Sequence, residues 1–199
     1  MSSHKESLSR EHLGAQLIYA LRDEALGRRT LVQRTGLTES VVRTELEKLE
    51  VQKMVRFEKA GTLLTLRALE AYVSLFDQVT QVVELGLHEL NLDRCNRAAL
   101  VRAGAAGLKT WALRDQAVRE GATGSLFIVQ HKNFLSLSDE CSALSSHNPR
   151  DVRTLEARFS PIAEGDLIVI VFAPTRSEAG AGLWRILTEI VPIFERSRT

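Results

Sequence analysis

The sequence predicts an α+β protein with a helical N-terminal third, a long connecting helix and a C-terminal small α/β domain. In the first third, apolar residues recur at helical spacing, and near residue 55 the pattern changes to the alternation of two short strands. In the second half, glycines punctuate alternating strands and helices. The predicted domains are therefore 1–66, a connecting and dimerisation helix at 67–92, and 93–199.

The composition is that of a folded globular protein. The chain has 199 residues, of which 44% are hydrophobic and 26% are charged, and these proportions argue against intrinsic disorder. Its net charge is only +1, so binding to nucleic acid requires a local basic patch. The two cysteines, Cys95 and Cys141, form no C-x-x-C motif, and no apolar run is long enough for a membrane span. We therefore expect a cytoplasmic protein.

Three helices are predicted in the first third. A helix from Ser9 to Ala25 carries Leu13, Leu17, Ile18 and Leu21 on one face and stops at Gly27. A short helix at 30–35 and a turn at Gly36 follow, and then a longer helix begins, with Thr38 as its N-cap. This succession of helix, short helix, glycine turn and longer helix is the order of a helix-turn-helix.

A β-hairpin follows the longer helix. Val55 and Phe57 alternate with charged residues, Gly61 marks the turn, and Leu64 and Leu66 resume the alternation. The stretch TLVQRTGLTESVVRTELEKLEVQKMVRFEKAGTLLTLRALE resembles the winged-helix domains of prokaryotic transcription regulators. The resemblance covers about residues 10 to 70 and implies double-stranded DNA as a partner and homodimerisation.

Basic and polar side chains along this segment are the candidate DNA-binding residues. They lie on the short helix, on the exposed side of the longer helix and on the hairpin, where they can reach phosphates and base edges. The predicted set is Arg28, Arg29, Arg34, Thr38, Ser40, Arg43, Thr44, Lys48, Arg56 and Lys59.

The segment from Ala68 to Leu90 carries an apolar stripe that predicts one long helix. Tyr72, Leu75, Phe76 and Val79 lie on that stripe, which is too apolar for a solvated linker. Two interpretations remain open, because the stripe either joins the core of its own chain or forms a dimer seam with a second copy.

Short strands and two helices are predicted after Arg97. The expected strands are RAALVR, the hairpin TGSLFIVQHKNFLSLS, VRTLEARFS and GDLIVIVFAP, and the expected helices are LKTWALRDQAVRE and LWRILTEIVPIFE. Arg114 and Asp115 are adjacent on the first of these helices, so they point apart and form no mutual ion pair. We expect each to have a solvated or structural role, or to meet a different partner.

The second half also resembles a family. The stretch NRAALVRAGAAGLKTWALRDQAVREGATGSLFIV is similar to the C-terminal domain of an uncharacterised, largely archaeal family with a winged helix in front of a small α/β domain. The matching residues are Val101, Gly104, Ala105, Ala106, Lys109, Arg114, Asp115, Ala117, Gly121, Ala122 and Gly124. The order of parts agrees over nearly the whole chain. Trp111-Ala112-Leu113 departs from the family pattern, which has smaller and more polar residues there.

Two glycine-rich junctions predict a small-molecule site. AGAAGLKTWAL and EAGAGLWRILT each follow an apolar strand and open a helix, where free amides favour an anion. If the two junctions face each other, a small anionic or polar metabolite binds between them and acts on DNA binding through the connecting helix. The predicted ligand-binding residues are Arg102, Gly104, Gly107, Lys109, Thr175, Arg176, Ser177, Gly180 and Gly182.

Enzyme motifs are missing from the sequence. The five histidines form no H-E-x-x-H pair, and neither G-x-S-x-G nor a P-loop occurs, so no metal, cofactor or catalytic residue is predicted. Three functions remain in view, in this order: a DNA-binding transcription regulator with an effector domain, a winged-helix adaptor for protein contacts, and an enzyme with a fused winged helix.

Overall fold

The computed structural model describes residues 11–104, 107–140 and 142–191 and divides the chain into two compact units. The first unit runs to Phe76 and includes Val191, and the second comprises Asp77–Ile190. The predicted connecting segment 67–92 is therefore not a separate unit, because the boundary between the two units falls inside it. The α+β class predicted from the sequence is confirmed by the helices and strands of both units.

The first unit contains the predicted helix-turn-helix and hairpin. Its elements are α1 (Glu11–Ala20), α2 (Arg28–Thr35), α3 (Glu39–Val51), β1 (Val55–Glu58), β2 (Gly61–Leu64) and α4 (Leu66–Ala71). Leu17, Leu31 and Leu46 are fully buried and join the first three helices in one small core. The first helix is shorter than predicted, since it ends at Ala20, and Ser9 and Arg10 lie outside the described residues.

The predicted long helix at 68–90 is wrong. The segment forms α4, then α5 (Val73–Gln78), then the strand β3 (Val79–Val83) and an irregular stretch. Pairing with a strand about twenty residues later in the chain replaces the helix from Val79 onward. The stripe itself is buried within a single chain, because Tyr72 is 5% exposed and Leu75 and Val79 are fully buried.

The second unit is built on a five-stranded sheet with the order β3-β4-β7-β5-β6. Its further elements are β4 (Cys95–Val101), α6 (Thr110–Arg119), β5 (Gly124–His131), β6 (Phe134–Leu137), α7 (Pro149–Phe159), β7 (Leu167–Ala173) and α8 (Arg176–Ile190). Every strand pair in this sheet is antiparallel. All seven residues of the central strand β7 are buried, because both faces of the sheet are covered.

The two faces of the sheet carry different helices. Alternate residues of β7, namely Ile168, Ile170 and Phe172, join a core with α7 and the irregular segment at 84–90. The other face packs against α8, where Gly182 lies close to Val171. Among the described residues, no helix is long and apolar enough to cross a membrane.

The stretch VRTLEARFS, predicted as a strand, lies in α7. Pro149 occupies the start of this helix, where its missing N–H costs nothing. Val152, Leu155 and Phe159 are buried at helical spacing and cover one face of the sheet. The apolar residues of this stretch therefore follow the helical period rather than the two-residue period of a strand.

Candidate nucleic-acid interface

Local caps hold the helix-turn-helix in shape. Gly36 ends α2 in the left-handed conformation, with φ of 74°, and its amide donates to the carbonyl of Val32. Two residues later, the Thr38 hydroxyl accepts the amide of Val41 at 3.4 Å, so the predicted N-cap of α3 is confirmed. At the same turn, the side-chain amide of Gln16 in α1 donates to the carbonyl of Thr35 at 2.9 Å. The turn between α2 and α3 is thus held by its own residues Gly36 and Thr38 and by Gln16 of α1.

The outer face of α3 is polar and open to solvent. Val42, Glu45, Leu46 and Leu49 are buried, and the remaining face presents three acids, Glu39, Glu47 and Glu50, among its basic and hydroxyl groups. All ten residues predicted to bind DNA have exposed side chains: Arg28, Arg29, Arg34, Thr38, Ser40, Arg43, Thr44, Lys48, Arg56 and Lys59. Exposure is necessary for contact with a duplex but does not itself demonstrate it.

A groove of about 340 Å³ separates α3 from the hairpin β1–β2, which we call the wing. Arg28, Arg43 and Glu47 line its helical side, and Phe57, Glu58 and Gly61 line the wing side. The groove thus brings together side chains from α2, α3 and β1 that are up to thirty positions apart in sequence. Arg28 and Arg43, both predicted from the sequence, meet in it.

The wing is tied to the segment that precedes α2. Leu26 and Thr62 form a β-bridge through two backbone hydrogen bonds, 2.8 and 3.1 Å long. Gly61 has φ of 132°, and a Cβ built there lies 2.7 Å from the carbonyl carbon and oxygen of Leu26. Only glycine permits this approach, which places the wing beside Arg28 and Arg29.

Ion pairs divide the basic side chains into two groups. Arg34 lies 2.5 Å from Glu24, Lys48 lies 2.7 Å from Glu45, Arg56 lies 3.0 Å from Glu58, and Arg43 lies 3.9 Å from Glu47. Within the part of the chain that the structure describes, Arg28, Arg29 and Lys59 have no such acidic partner. Exposed ion pairs are worth about 0–1 kcal/mol, so phosphates can compete for the paired arginines too.

The start of α2 adds an uncapped helix end to the unpaired arginines. Gly27 is the N-cap and supplies no side-chain hydrogen bond, so the first amides of α2 remain open to an anion. Arg28 and Arg29 occupy the first two helical positions. The helix end and both guanidinium groups therefore favour the same negatively charged ligand.

The alternation of Val55 and Phe57 with charged residues correctly predicts the strand β1. Within it, Phe57 is 48% exposed and lines the groove. Leu66, predicted to continue the strand, is 79% exposed at the start of α4. The wing has only two short strands, so one of its faces has no second layer to cover it.

The predicted small-molecule site does not form between the two glycine-rich junctions. Val101 at the end of β4 pairs with Leu167 at the start of β7, and Cys95 pairs with Ala173. Because the strands are antiparallel, the junction after β4 and the junction after β7 lie at opposite ends of the sheet. Seven residues of strand separate them by about 20 Å.

Several predicted ligand residues instead bind groups of their own chain. Arg102 pairs with the buried carboxylate of Asp166 and donates to the carbonyl of Pro161 at 3.1 Å. Arg176 pairs with Glu84 at 3.2 Å. Thr175 caps α8, because its hydroxyl donates to Glu178 at 2.7 Å and accepts the Glu178 amide at 3.3 Å.

The remaining residues of that set divide between the two ends. Gly180 and Gly182 lie inside α8 rather than in a loop, and a Cβ at Gly182 falls 3.0 Å from Val171. Gly104, Gly107 and the exposed Lys109 precede α6, whereas Ser177 lies in the first turn of α8. Ala105 and Ala106 lie outside the described residues. Ligand binding at either end alone stays a prediction.

The first unit is thus a winged helix-turn-helix with an exposed basic and polar face, and comparison with known proteins agrees. Residues 16–79 match the family model of the CggR N-terminal DNA binding domain. Residues 92–190 match the model of a domain of unknown function, DUF4443. These matches support a DNA-binding regulator.

One solved structure is similar over both halves of the chain. A hypothetical protein from Pyrococcus horikoshii OT3 superimposes with a TM-score of 0.70 and 23% sequence identity, covering 90% of this chain and 91% of that one. At this identity the likeness shows the fold alone. None of the curated proteins matches.

Proposed function

We propose that this protein is a DNA-binding transcription regulator rather than an enzyme. The groove between α3 and the wing carries the proposal, because Arg28 and Arg43 line it and both are exposed. The match of residues 16–79 to a DNA-binding domain supports the same conclusion. A role on DNA also implies that the protein works in the compartment that holds the DNA.

The protein makes two kinds of contact with the duplex, one to phosphates and one to base edges. Arg28, Arg29 and Lys59 bind phosphates, since they are exposed and have no acidic partner among the described residues. Arg28 lines the groove, and Arg29 and Lys59 directly follow Arg28 and Glu58 of its lining in the sequence. Side chains on the outer face of α3, foremost Arg43, read base edges in the major groove. Glu47 lies 3.9 Å from Arg43, and both side chains remain exposed, so the duplex can replace this ion pair.

The proposal has a dimeric and a sensory part. A homodimer presents two copies of α3 to two half-sites, as in other helix-turn-helix proteins. The second unit senses a small polar or anionic metabolite, and we assign no residues to that binding. Thermal-shift measurements with nucleotides, phosphorylated metabolites and organic acids test this part, and the absence of any stabilising compound counts against it.

Selection from a pool of random duplexes tests the central part. We expect the full chain to enrich a defined motif, and we expect Arg43→Ala to lose discrimination at one position of it by about tenfold or more. Arg158→Ala is the matched control, because Arg158 is exposed in the second unit and has no acidic partner among the described residues. Failure to enrich any motif, or equal loss in both variants, contradicts the proposal.

A protein-binding adaptor is the second candidate. The observation that favours it is a set of exposed apolar side chains on the first unit: Val51 is 83% exposed, Leu66 is 79% exposed and Val73 is 51% exposed. If no duplex binds even at low salt, this function replaces DNA binding. Val51→Ser with Leu66→Ser is then expected to abolish partner binding while the fold is kept.

A further inference from the structure

The outer face of α6 carries an apolar and charged stripe that no other described residue covers. Thr110, Leu113 and Ala117 are buried on the inner side of this helix. On the outer side, Trp111 is 65% exposed and Val118 is 49% exposed. Exposure of most of a tryptophan on a regular helix is costly, since an aromatic side chain contributes most when it is buried at an interface.

Arg114 and Asp115 lie between the two apolar residues. Both are exposed, and neither has an ion pair or a side-chain hydrogen bond with a described residue. They form no ion pair with each other, as the sequence predicts, and their exposure agrees with the solvated role that the sequence allows. The helix thus presents a base and an acid, both unpaired, on one face.

Helix geometry makes this stripe complementary to itself. Seen down the axis at 3.6 residues per turn, Trp111 and Val118 lie about 20° apart, and Arg114 and Asp115 lie about 50° to either side of their midline. When two such helices pack side by side and parallel about a twofold axis, left and right exchange between the copies. Each Arg114 then faces the Asp115 of the second copy, and the tryptophans and valines meet their own counterparts.

The antiparallel arrangement does not share this property. In an antiparallel pair, the residues on one side of the midline face the residues on the same side of the second copy. Each arginine therefore faces an arginine, and each aspartate faces an aspartate. Like charges placed against each other across an interface are repulsive and select against that arrangement. The charges therefore distinguish the two orientations of the same apolar stripe.

We propose that Trp111, Arg114, Asp115 and Val118 on α6 form a homodimer surface whose occupant is a second copy of this chain, packed parallel about a twofold axis. This inference deepens the dimeric part of the proposed function and rests on it. It also relocates the seam predicted from the sequence, because Tyr72, Leu75 and Val79 are buried within one chain. One helix face is smaller than the standard interface of about 1,600 Å², so the expected dimer is weak in the absence of DNA.

Sedimentation equilibrium of the full chain without DNA, from about 1 μM to about 1 mM, tests the pairing. We expect concentration-dependent dimers. Arg114→Asp and Asp115→Arg, made singly, each raise the dissociation constant about tenfold or more, because each places like charges opposite one another. The double variant Arg114→Asp, Asp115→Arg restores the opposite-charge pairs and the wild-type affinity. Arg158→Asp on α7 is the control for a change in net charge.

Fluorescence gives a second, independent measurement. The chain has two tryptophans, and Trp184 is only 2% exposed, so quenching by acrylamide reports Trp111. Quenching is expected to fall as the protein concentration rises and dimers form. Trp111→Ala is expected to be monomeric with unchanged thermal unfolding, whereas Leu92→Ala, which truncates another exposed apolar residue of this unit, keeps the dimer.

The outcomes separate this inference from DNA binding. A wild-type chain that stays monomeric at about 1 mM, or a charge-swapped double variant that fails to recover, overturns the α6 surface. Neither result affects DNA binding by the winged helix, which the duplex selection measures separately. Conversely, dimerisation through α6 by a protein that enriches no duplex overturns the proposed function and leaves the surface intact.

Discussion

The two units differ in how they use their charged side chains. In the winged helix, the basic residues that stand out in the sequence lie on the surface, and three of them have no acidic partner among the described residues. In the second unit, Arg102 and Arg176 pair with Asp166 and Glu84. A basic residue near a glycine-rich loop therefore indicates a ligand site only when no acidic residue of the chain pairs with it. Here the antiparallel sheet brings Asp166 to Arg102 and Glu84 to Arg176.

Asp151 provides the sharpest contrast to the open winged-helix surface. Its fully buried carboxylate accepts the amides of His88, Glu89 and Leu90 at 2.9, 2.8 and 2.7 Å. Asp151→Ala leaves three amides without an acceptor, so we expect the free energy of unfolding to fall by about 3–5 kcal/mol. Urea denaturation checks the value, with the exposed neighbour Arg150→Ala as control. A loss below about 1 kcal/mol contradicts a structural role for this carboxylate.

Gly61 tests whether the winged helix requires glycine where the wing approaches the backbone of Leu26. Gly61→Ala places a Cβ 2.7 Å from the Leu26 carbonyl at a φ of 132°. We expect a loss of about 1–3 kcal/mol and weaker duplex binding, because the wing separates from the start of α2. Gly86→Ala is the control, since Gly86 is exposed in the second unit and a Cβ there meets nothing within 4 Å. Equal stability and duplex affinity in both variants show that the bridge does not position the wing.

Tyr72 makes the stability of the protein depend on pH. It lies on the apolar stripe of the segment 68–90, for which the sequence leaves a core and a dimer seam open. Burial, assisted by the charge of Glu11, raises the pKa of Tyr72 to about 12. The unfolded chain loses this proton near pH 10, so the stabilisation is complete below pH 10 and is lost as the pH rises toward 12. We expect unfolding free energies to fall more steeply in the wild type than in Tyr72→Phe over that range. Parallel pH profiles contradict the burial of this phenol.

Thr38 is expected to give the smallest effect. Thr38→Ala removes the side-chain acceptor for the amide of Val41 and lowers stability by about 1 kcal/mol. Thr44→Ala, on the exposed face of the same helix, is the control and changes stability little. Thermal unfolding distinguishes the two. Equal melting temperatures for the two variants indicate that the hydrogen bond from Val41 to the Thr38 hydroxyl does not stabilise the turn.

Local signals explain which parts of the fold the sequence predicts. The helical spacing of Leu17, Ile18 and Leu21, the turn at Gly36 and the N-cap Thr38 act over a few residues, so the helix-turn-helix and the ten exposed side chains follow from the sequence alone. The strand β3 does not, because it depends on pairing with β4. Gly182 shows the same limit, since its close approach to Val171 depends on how a helix packs on a sheet.

The sequence predicts individual residues of the candidate interface but not the groove that some of them line. Sequence patterns supplied Arg28, Arg43 and Lys59, but the groove itself arises from the bridge between Leu26 and Thr62. The exposure of Phe57 follows from the short wing, and no periodicity distinguishes a covered hairpin from an uncovered one. The sequence indicates Gly61 only as a turn residue and does not show its close approach to Leu26.

The dependence of duplex affinity on salt tests the central claim most directly. Compare wild type with the triple variant Arg28→Ala, Arg29→Ala, Lys59→Ala, and with a control of equal charge change, Lys132→Ala, Arg150→Ala, Arg158→Ala, whose residues are exposed in the second unit. Each lost phosphate contact reduces the slope of log K against log salt by about 0.9, so we predict a reduction of about 2.7 for the first variant and no change for the control. Equal slopes for all three proteins contradict binding of DNA through the winged helix.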